Sequence, residues 1–356
     1  MPGDLPKEGM VARLSKPGGP FVIEGVRLPV LRSGEALLQV EACTICASDL
    51  RTFRGERAAP SSGLLGHEIV GRIVAGKAGA FSVGDRVVCG VAASCGACRY
   101  CERGIPQKCC SLKKFGHAQA NGGWQLSGGF AEYCHLPAGS TLVRAPESLT
   151  LQQSAWLGCA GATAAAATRI ARNLRDREVL IMGAGAVGLF VTTMAREQGA
   201  KVLAVDTRED RLALSRSLGA EHTHAVEDST TLKDFVMGNT GDRGADVVFE
   251  TSGARASVEM SLQLADIGGR IILVGSVAPT DPVPVRAEKV VTSLLRIEGV
   301  HNYIPEDLVK AVECAAANQL LGNEIASRFP FFSLTDINSA FDTAQSGEHL
   351  RVSVGN

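Results

Sequence analysis

Several things are missing from this sequence, and each absence closes a class of function. No run of about 18 apolar residues occurs, so no membrane span is expected. The start, MPGDLPKEGM, has no apolar core of the signal-peptide kind. An excess of one charge is missing too. With 36 basic and 37 acidic side chains the formal net charge is -1, which provides no global field for nucleic acid or an anionic membrane. There is no internal repeat, and no low-complexity tract beyond one Ala run. What is not scarce is cysteine. Eleven of them without a secretory signal point to a reducing, cytoplasmic setting and to metal ligation rather than a disulfide framework.

A chain of 356 residues suggests two domains. The first part is punctuated by glycine and proline. Pro17-Gly18-Gly19-Pro20 is a turn cluster. EALLQVE (35–41), LLGHEIVGRIV (64–74), GDRVVCGV (84–91) and GGFAEYCHLP (128–137) read as strands of an antiparallel, barrel-like β region. Within it, CTICASDLR (43–51) is a short polar, sulfur-bearing stretch in strand-like surroundings. Cys46 is read there as a metal holder, with Ser48 and Asp49 serving the metal's chemistry.

Cys95, Cys98, Cys101 and Cys109 have the spacing C-x2-C-x2-C-x7-C. Four thiolates so close can close a tetrahedral shell around zinc with no open position, the pattern of a structural site. A nucleic-acid-binding zinc knuckle is the other use of such a segment. Arg99, Arg103, Lys108 and a lone Tyr100 offer little stacking or phosphate contact for it.

The character changes near Thr150. From there LQQSAWLGCAGATAAAATRIARNL (151–174) reads as Ala-rich and helical, and strands and helices alternate after it, which indicates a parallel sheet. The strand Val179–Met182 feeds Gly183-Ala184-Gly185-Ala186-Val187-Gly188 and then a helix. A G-x-G-x-x-G in that context is a dinucleotide fingerprint. Its glycines allow a tight turn and close backbone approach, and the pyrophosphate sits at the helix N-terminus. Asp206 ends the next strand, 23 residues after Gly183, where an acid binds adenosine ribose hydroxyls. It favours NAD over NADP, although Arg208 or Arg211 could meet a 2′-phosphate. ADVVFETSG (245–253), GGRIILVGS (268–276, with Gly275 counted in the cofactor set) and LLRIEGV (294–300) complete an open doubly wound sheet. The tail from about His301, with DLVKAVECAAANQLL, INSAFDTAQ and RVSV, reads as a return to the first domain.

Together these motifs resemble the zinc-containing alcohol dehydrogenases of the medium-chain dehydrogenase/reductase superfamily, across essentially the whole chain and in the same order. The resemblance implies an α/β protein. A GroES-like, β-rich catalytic domain would span 1–159 and 301–356, with a doubly wound parallel Rossmann domain at 160–300. It implies two zinc ions per chain. Cys46, His67 and Cys159 would hold the catalytic one, and Cys95, Cys98, Cys101 and Cys109 the structural one. Glu68 matches the acid that approaches the metal during ligand exchange, Asp49 the acid that orients the His ligand, Ser48 the hydroxyl that takes the alcohol proton, and Thr163 a contact to the nicotinamide ring. The activity implied is hydride transfer between an alcohol, secondary or functionalised, and NAD, in a homodimer or homotetramer. Alternatives are a reductase acting mainly on a carbonyl or phosphonate-bearing aldehyde, a zinc-independent reductase of the superfamily, and a non-catalytic NAD-sensing protein.

One position departs from the pattern. Where many relatives carry a relay His, this chain has Arg51, which is not a base at neutral pH. It is read as a solvated or ion-paired arginine, or as a contact to cofactor phosphate or an anionic substrate. PQKC, SLKKFGH and GVHNYIPEDL resemble a subgroup associated with phosphonate metabolism, and Lys113, Lys114, His117 and His301 could line an anion pocket. Phe53, Phe115, Trp124, Trp156 and Ser276 are the candidate pocket walls. Cys43, Cys89, Cys110, Cys134 and Cys314 are read as buried or incidental thiols.

Overall fold

The computed structural model describes residues 5–119, 123–279, 281–318, 321 and 325–356. Residues 1–4 of the N-terminal segment, 120–122 of the Gly-rich loop and 319–320 at the end of DLVKAVECAAANQLL lie outside the described residues. The chain divides into two compact units, Met1–Cys159 with Ile304–Asn356, and Ala160–Tyr303. The return thus falls at 303/304 rather than at 300/301.

The first unit is built on a nine-stranded sheet. Its main path runs Phe331–Ser333, Ser353–Gly355, Ala36–Thr44, Glu68–Ala78, Arg86–Ala93 and Lys113–Lys114. Alternation along Ala36–Thr44 buries Leu38, Val40 and Ala42, and Leu37 and Cys43 are covered on the other face as well. The C-terminal strand pairs antiparallel with Ala36–Thr44, placing Ser353 opposite Thr44 and Val354 opposite Cys43. The last residues of the chain therefore lie against the CTICASDLR segment.

That segment is not embedded in a strand, as its surroundings suggested. The strand ends at Thr44 and a helix, Ala47–Phe53, begins after an extended Cys46. Ser-Asp in a first turn suits a helix start, because an acid there faces exposed N–H groups. The Ala-rich segment is helical in pieces. It forms Leu151–Ala155, a 3-10 turn Trp156–Gly158, and Ala160–Ala171. The break has a packing cause. Gly158 lies so close to the Cys89 carbonyl that a Cβ would come within 2.4 Å of it, and Cys159 leaves helical geometry at φ -125, ψ -68.

The second unit holds a six-stranded parallel sheet in the order His222–Ala225, Lys201–Asp206, Glu178–Met182, Ala245–Glu250, Ala265–Leu273 and Arg296–Gly299. The reversal of strand order at Glu178–Met182 marks where such sheets bind ligands, outside the carboxyl ends of the strands. The edge strand His222–Ala225 was not expected. HTHA is too short and polar to read as a strand alone, and forms by pairing with Leu203–Asp206.

Candidate functional site

Cys46, Ser48 and Asp49 are set by the first turn of the Ala47–Phe53 helix. The Asp49 carboxylate, fully buried, accepts from the Cys46 N–H at 3.0 Å with Oδ2 and from the Gly66 N–H at 3.3 Å with Oδ1. The same Oδ1 lies 3.3 Å from His67 Nδ1. One carboxylate thus fixes the helix start, the approach of the next strand and the face of the imidazole. His67 presents Nε2 to Ser48 Oγ at 3.3 Å. Burial alone would push the His67 pKa down, but the Asp49 and Cys46 charges outweigh it and raise it to about 10.

The ligand atoms of Cys46, His67, Glu68 and Cys159 all lie within 4.8 Å of one another. Three separate stretches supply them. Cys46 is pushed well below the ordinary thiol range, first by the Cys159 thiol that hydrogen-bonds to it and then by the Arg351 charge, against the effect of burial. Cys159 is pushed up, first by that same pairing and then by burial. Cys46 is therefore the more acidic of the two thiols, and a bound cation would favour both as thiolates. Two sulfurs and an imidazole in one buried cluster fit zinc, with a fourth position left over.

Glu68, with no exposure, donates no ligand freely. Arg351 grips it at 2.8 Å through Nε and 2.9 Å through Nη2, and Thr44 Oγ1 donates to its Oε2. Arg351 Nη2 also lies 3.7 Å from Cys46 Sγ. Burial pushes Glu68 up and Arg351 pulls it back, leaving it at about 7. Arg351 was not singled out from the sequence. The available signal was an arginine opening a short apolar strand, RVSV, which must pair its charge if the strand is buried.

The second sulfur cluster is compact as well. Cys95, Cys98, Cys101 and Cys109 place their sulfurs within 4.8 Å, and N–H groups of Cys95, Cys110 and Ser111 point at them from 3.3 to 3.5 Å. Donated N–H bonds suit thiolates. They bring Cys98 down to about 5, the Cys110 N–H contributing most. Cys110 supplies a backbone donor here, and its thiol is exposed outside the cluster.

In the second unit Gly183 has φ +105, open to glycine with little cost. A Cβ on Gly188 would lie 1.9 Å from the Gly183 carbonyl, so the loop can close on its helix only without a side chain. The helix Ala186–Glu197 starts at Gly185. Asp206 Oδ2 accepts from the Ala184 N–H at 2.7 Å and Oδ1 from the Arg208 N–H at 3.0 Å. Arg208 itself is engaged by Asp210 at 2.6 Å, while Arg211 Nη1 lies about a side chain's thickness from a Gly185 Cβ position, 4.0 Å. Gly275 faces Gly253, where a Cβ would meet its N at 2.2 Å, a packing reason for glycine. Thr163 lies in the first turns of Ala160–Ala171, half-buried.

Three proposed pocket walls are core residues instead. Phe115 is fully buried, Trp124 donates Nε1 to the His135 carbonyl at 2.9 Å, and Trp156 packs edge-on against Phe329 at 5.1 Å. Phe53 stacks with Phe21 and packs tilted against Phe341, and Ser276 is exposed. Arg51 is half-buried in the last turn of its helix and makes no ion pair among the described residues. Lys113 is exposed, His301 is exposed in the second unit, and His117 stands with its ring 4.6 Å from that of His67.

Residues 32–147 match the alcohol dehydrogenase GroES-like domain, and residues 186–317 match the zinc-binding dehydrogenase family. The chain is 32% identical over 328 residues to an uncharacterised zinc-type alcohol dehydrogenase-like protein of Haemophilus influenzae, covering 88% of this chain and 89% of that one. It is 29% identical over 353 residues to an alcohol dehydrogenase of Geobacillus stearothermophilus, covering 96% and 97%. The crystal structure of an alcohol dehydrogenase from Thermotoga maritima superposes with a TM-score of 0.90 at 26% identity, over 98% of this chain and 99% of that one.

Proposed function

We propose that this chain, which belongs to the zinc-type alcohol dehydrogenases of the medium-chain dehydrogenase/reductase superfamily, transfers a hydride between a small functionalised alcohol and NAD. Family membership makes it a zinc-dependent oxidoreductase. The alcohol, the choice of NAD and the residue roles are our reading. The observation that carries it is the convergence of Cys46, His67 and Cys159 within 4.8 Å, with Ser48 Oγ beside the imidazole.

Cys46, His67 and Cys159 would hold the catalytic zinc, and the four lobe cysteines a structural one. Zinc supplies Lewis acidity toward an alcohol or carbonyl oxygen, and NAD supplies the hydride chemistry. Ser48 takes the alcohol proton. Asp49 holds His67 in one orientation, as ligating imidazoles require. Arg351 holds the Glu68 carboxylate away from free ligation while keeping it next to the cluster. Gly183, Gly185, Ala186, Val187 and Gly188 receive the pyrophosphate at a helix N-terminus. Asp206 binds the adenosine ribose, and Thr163 borders the nicotinamide. Arg211, beside Gly185, favours NADP as a second reading. None of the eleven cysteines is in a disulfide, which suits a reducing compartment such as the cytoplasm. Assembly as a dimer or tetramer completes the proposal.

Metal analysis tests it, with about two zinc per chain expected from the two ligand sets. Cys46→Ser should abolish turnover while NAD still binds. Undiminished turnover in that variant would sink the assignment.

A further inference from the structure

Glu250 is a buried acid that the function proposed above leaves unused. It ends the strand Ala245–Glu250 and has no solvent exposure. Glu68, buried to the same extent, is gripped by Arg351. Glu250 makes no ion pair among the described residues. Its Oε1 instead collects neutral donors. The Ser252 N–H donates at 3.0 Å, the Gly253 N–H at 2.9 Å, Ser252 Oγ at 2.6 Å and Ser257 Oγ at 2.9 Å. Oε2 is buried with no hydrogen-bond partner among the described residues. Bonds from neutral donors stabilise a carboxylate without cancelling its charge. A unit negative charge therefore stands at this point, in surroundings that screen it less than water does.

The place of Glu250 in the sheet gives that charge a target. Glu250 lies opposite Met182 in register, and Gly183 follows Met182. Thr251 ties the next turn to the fingerprint loop, donating Oγ1 to the Gly183 carbonyl at 2.8 Å. Ala245–Glu250 flanks Glu178–Met182 on one side. On the other lies Lys201–Asp206, which ends in the acid given to the adenosine ribose. A dinucleotide whose pyrophosphate sits at the reversal of strand order lays one nucleoside over each half of such a sheet. With adenosine on the Asp206 half, Glu250 belongs to the nicotinamide half. The nicotinamide ring carries a positive charge when oxidised and none when reduced.

We propose that Glu250 sets the redox-state preference of the cofactor site, its charge favouring oxidised, cationic nicotinamide over the reduced ring. It acts through space as an electrostatic specificity residue and takes no part in hydride transfer. The four bonds on Oε1 hold the carboxylate in place at the cofactor end of the strand. The inference rests on the reading of NAD as the cofactor received at Gly183 to Gly188.

The test measures Kd for NAD+, NADH and AMP by calorimetry on zinc-loaded full-length protein. Glu250→Gln keeps an acceptor oxygen for the turn and removes the charge. It should shift the relative affinity of NAD+ and NADH toward NADH by about tenfold, the effect of one unit charge across roughly 10 Å in partly buried surroundings. Kd for AMP should stay at its starting value. Glu250→Asp keeps the charge on a shorter side chain, so its NAD+ to NADH ratio should match that of the wild type even where both Kd values rise. Ser252 is exposed, and Ser252→Lys sets a cation beside the carboxylate. It should move the ratio in the same direction as Glu250→Gln, and it carries the test if Glu250→Gln does not fold. A merely structural role would raise Kd for NAD+ and NADH by the same factor. That result, or a Glu250→Asp ratio shifted as far as that of Glu250→Gln, overturns the inference and leaves the dehydrogenase standing. Failure of the wild-type protein to bind either form of NAD would remove both.

Discussion

Arg351 and Glu68, separated by 283 positions in the chain, meet as a fully engaged pair, with Nε to Oε2 at 2.8 Å and Nη2 to Oε1 at 2.9 Å. Glu68 has no solvent exposure and Arg351 only 9%. Neither charge can be left alone there.

The first expectation follows from that. Arg351→Leu strands a buried carboxylate, and removal of one partner of such a pair costs about 3–5 kcal/mol. Denaturant unfolding of the zinc-loaded protein should show a loss of that order. Glu68→Gln with Arg351→Leu should recover part of it. A double variant no more stable than Arg351→Leu would mean that the pair is not what holds the tail strand in place.

Asp49 is the anchor of His67. Asp49→Asn keeps the hydrogen-bond shape and removes the charge, so zinc affinity should drop by about 10- to 100-fold. Competition with a chelator, reading the loss of one zinc of two, measures this. Equal retention of both ions would argue that the imidazole is oriented by packing.

The lobe should behave differently. Cys98→Ser removes one sulfur from a closed set of four, so one zinc should be lost and the thermal midpoint should fall. NAD binding to the other unit should persist. If metal content stays at its starting value, the lobe is not a zinc site.

Asp206 accepts from the Ala184 N–H, and the proposed function gives it the adenosine ribose. Asp206→Ser should raise KM for NAD and narrow the gap to NADP by at least about tenfold, the effect of removing a charge that repels a 2′-phosphate. Initial-rate kinetics with both cofactors decide it. A gap of undiminished width would mean that Arg211 or another group sets the preference.

Acid should lower stability at the partly buried pair His135 and Glu35, whose Nε2 and Oε2 lie 3.1 Å apart, because the imidazole is buried against its charged form. Burial, opposed in part by Glu35, holds His135 below its ordinary 6.5. Glu35 lies below its ordinary 4.5 because the Arg32 N–H and His135 outweigh burial. Both folded pKa values are lower than the unfolded ones. Their stabilisation is therefore full above pH 6.5. It is lost as pH falls, first through His135 and then through Glu35. His135→Asn should flatten the upper part of that slope in unfolding measurements from pH 7 to 5. An unchanged slope would refute it.

Much of this protein was legible in one dimension because its motifs are local. Gly183 to Gly188 needs only the strand before it and the helix after it. The four lobe cysteines fall within fifteen residues, and Asp206 follows at the distance one βα unit imposes. Cys46, His67 and Cys159 are far apart, and the family resemblance, not their spacing, joined them. What the sequence could not decide were the pairings made by long-range packing. Trp124 and Trp156 looked like pocket walls, but the core claimed them, since an aromatic residue carries no mark of which side of a sheet it faces. Where the Ala-rich helical stretch breaks was decided by contact between Gly158 and Cys89, which no propensity encodes. Arg351 reached Glu68 because the tail strand pairs beside Thr44, and His117 reached His67 because Gly116 rests on Gly66. The chemical groups were set by the sequence, whereas their electrostatic partners were set by strand register and close backbone contact, which exist only in the folded chain.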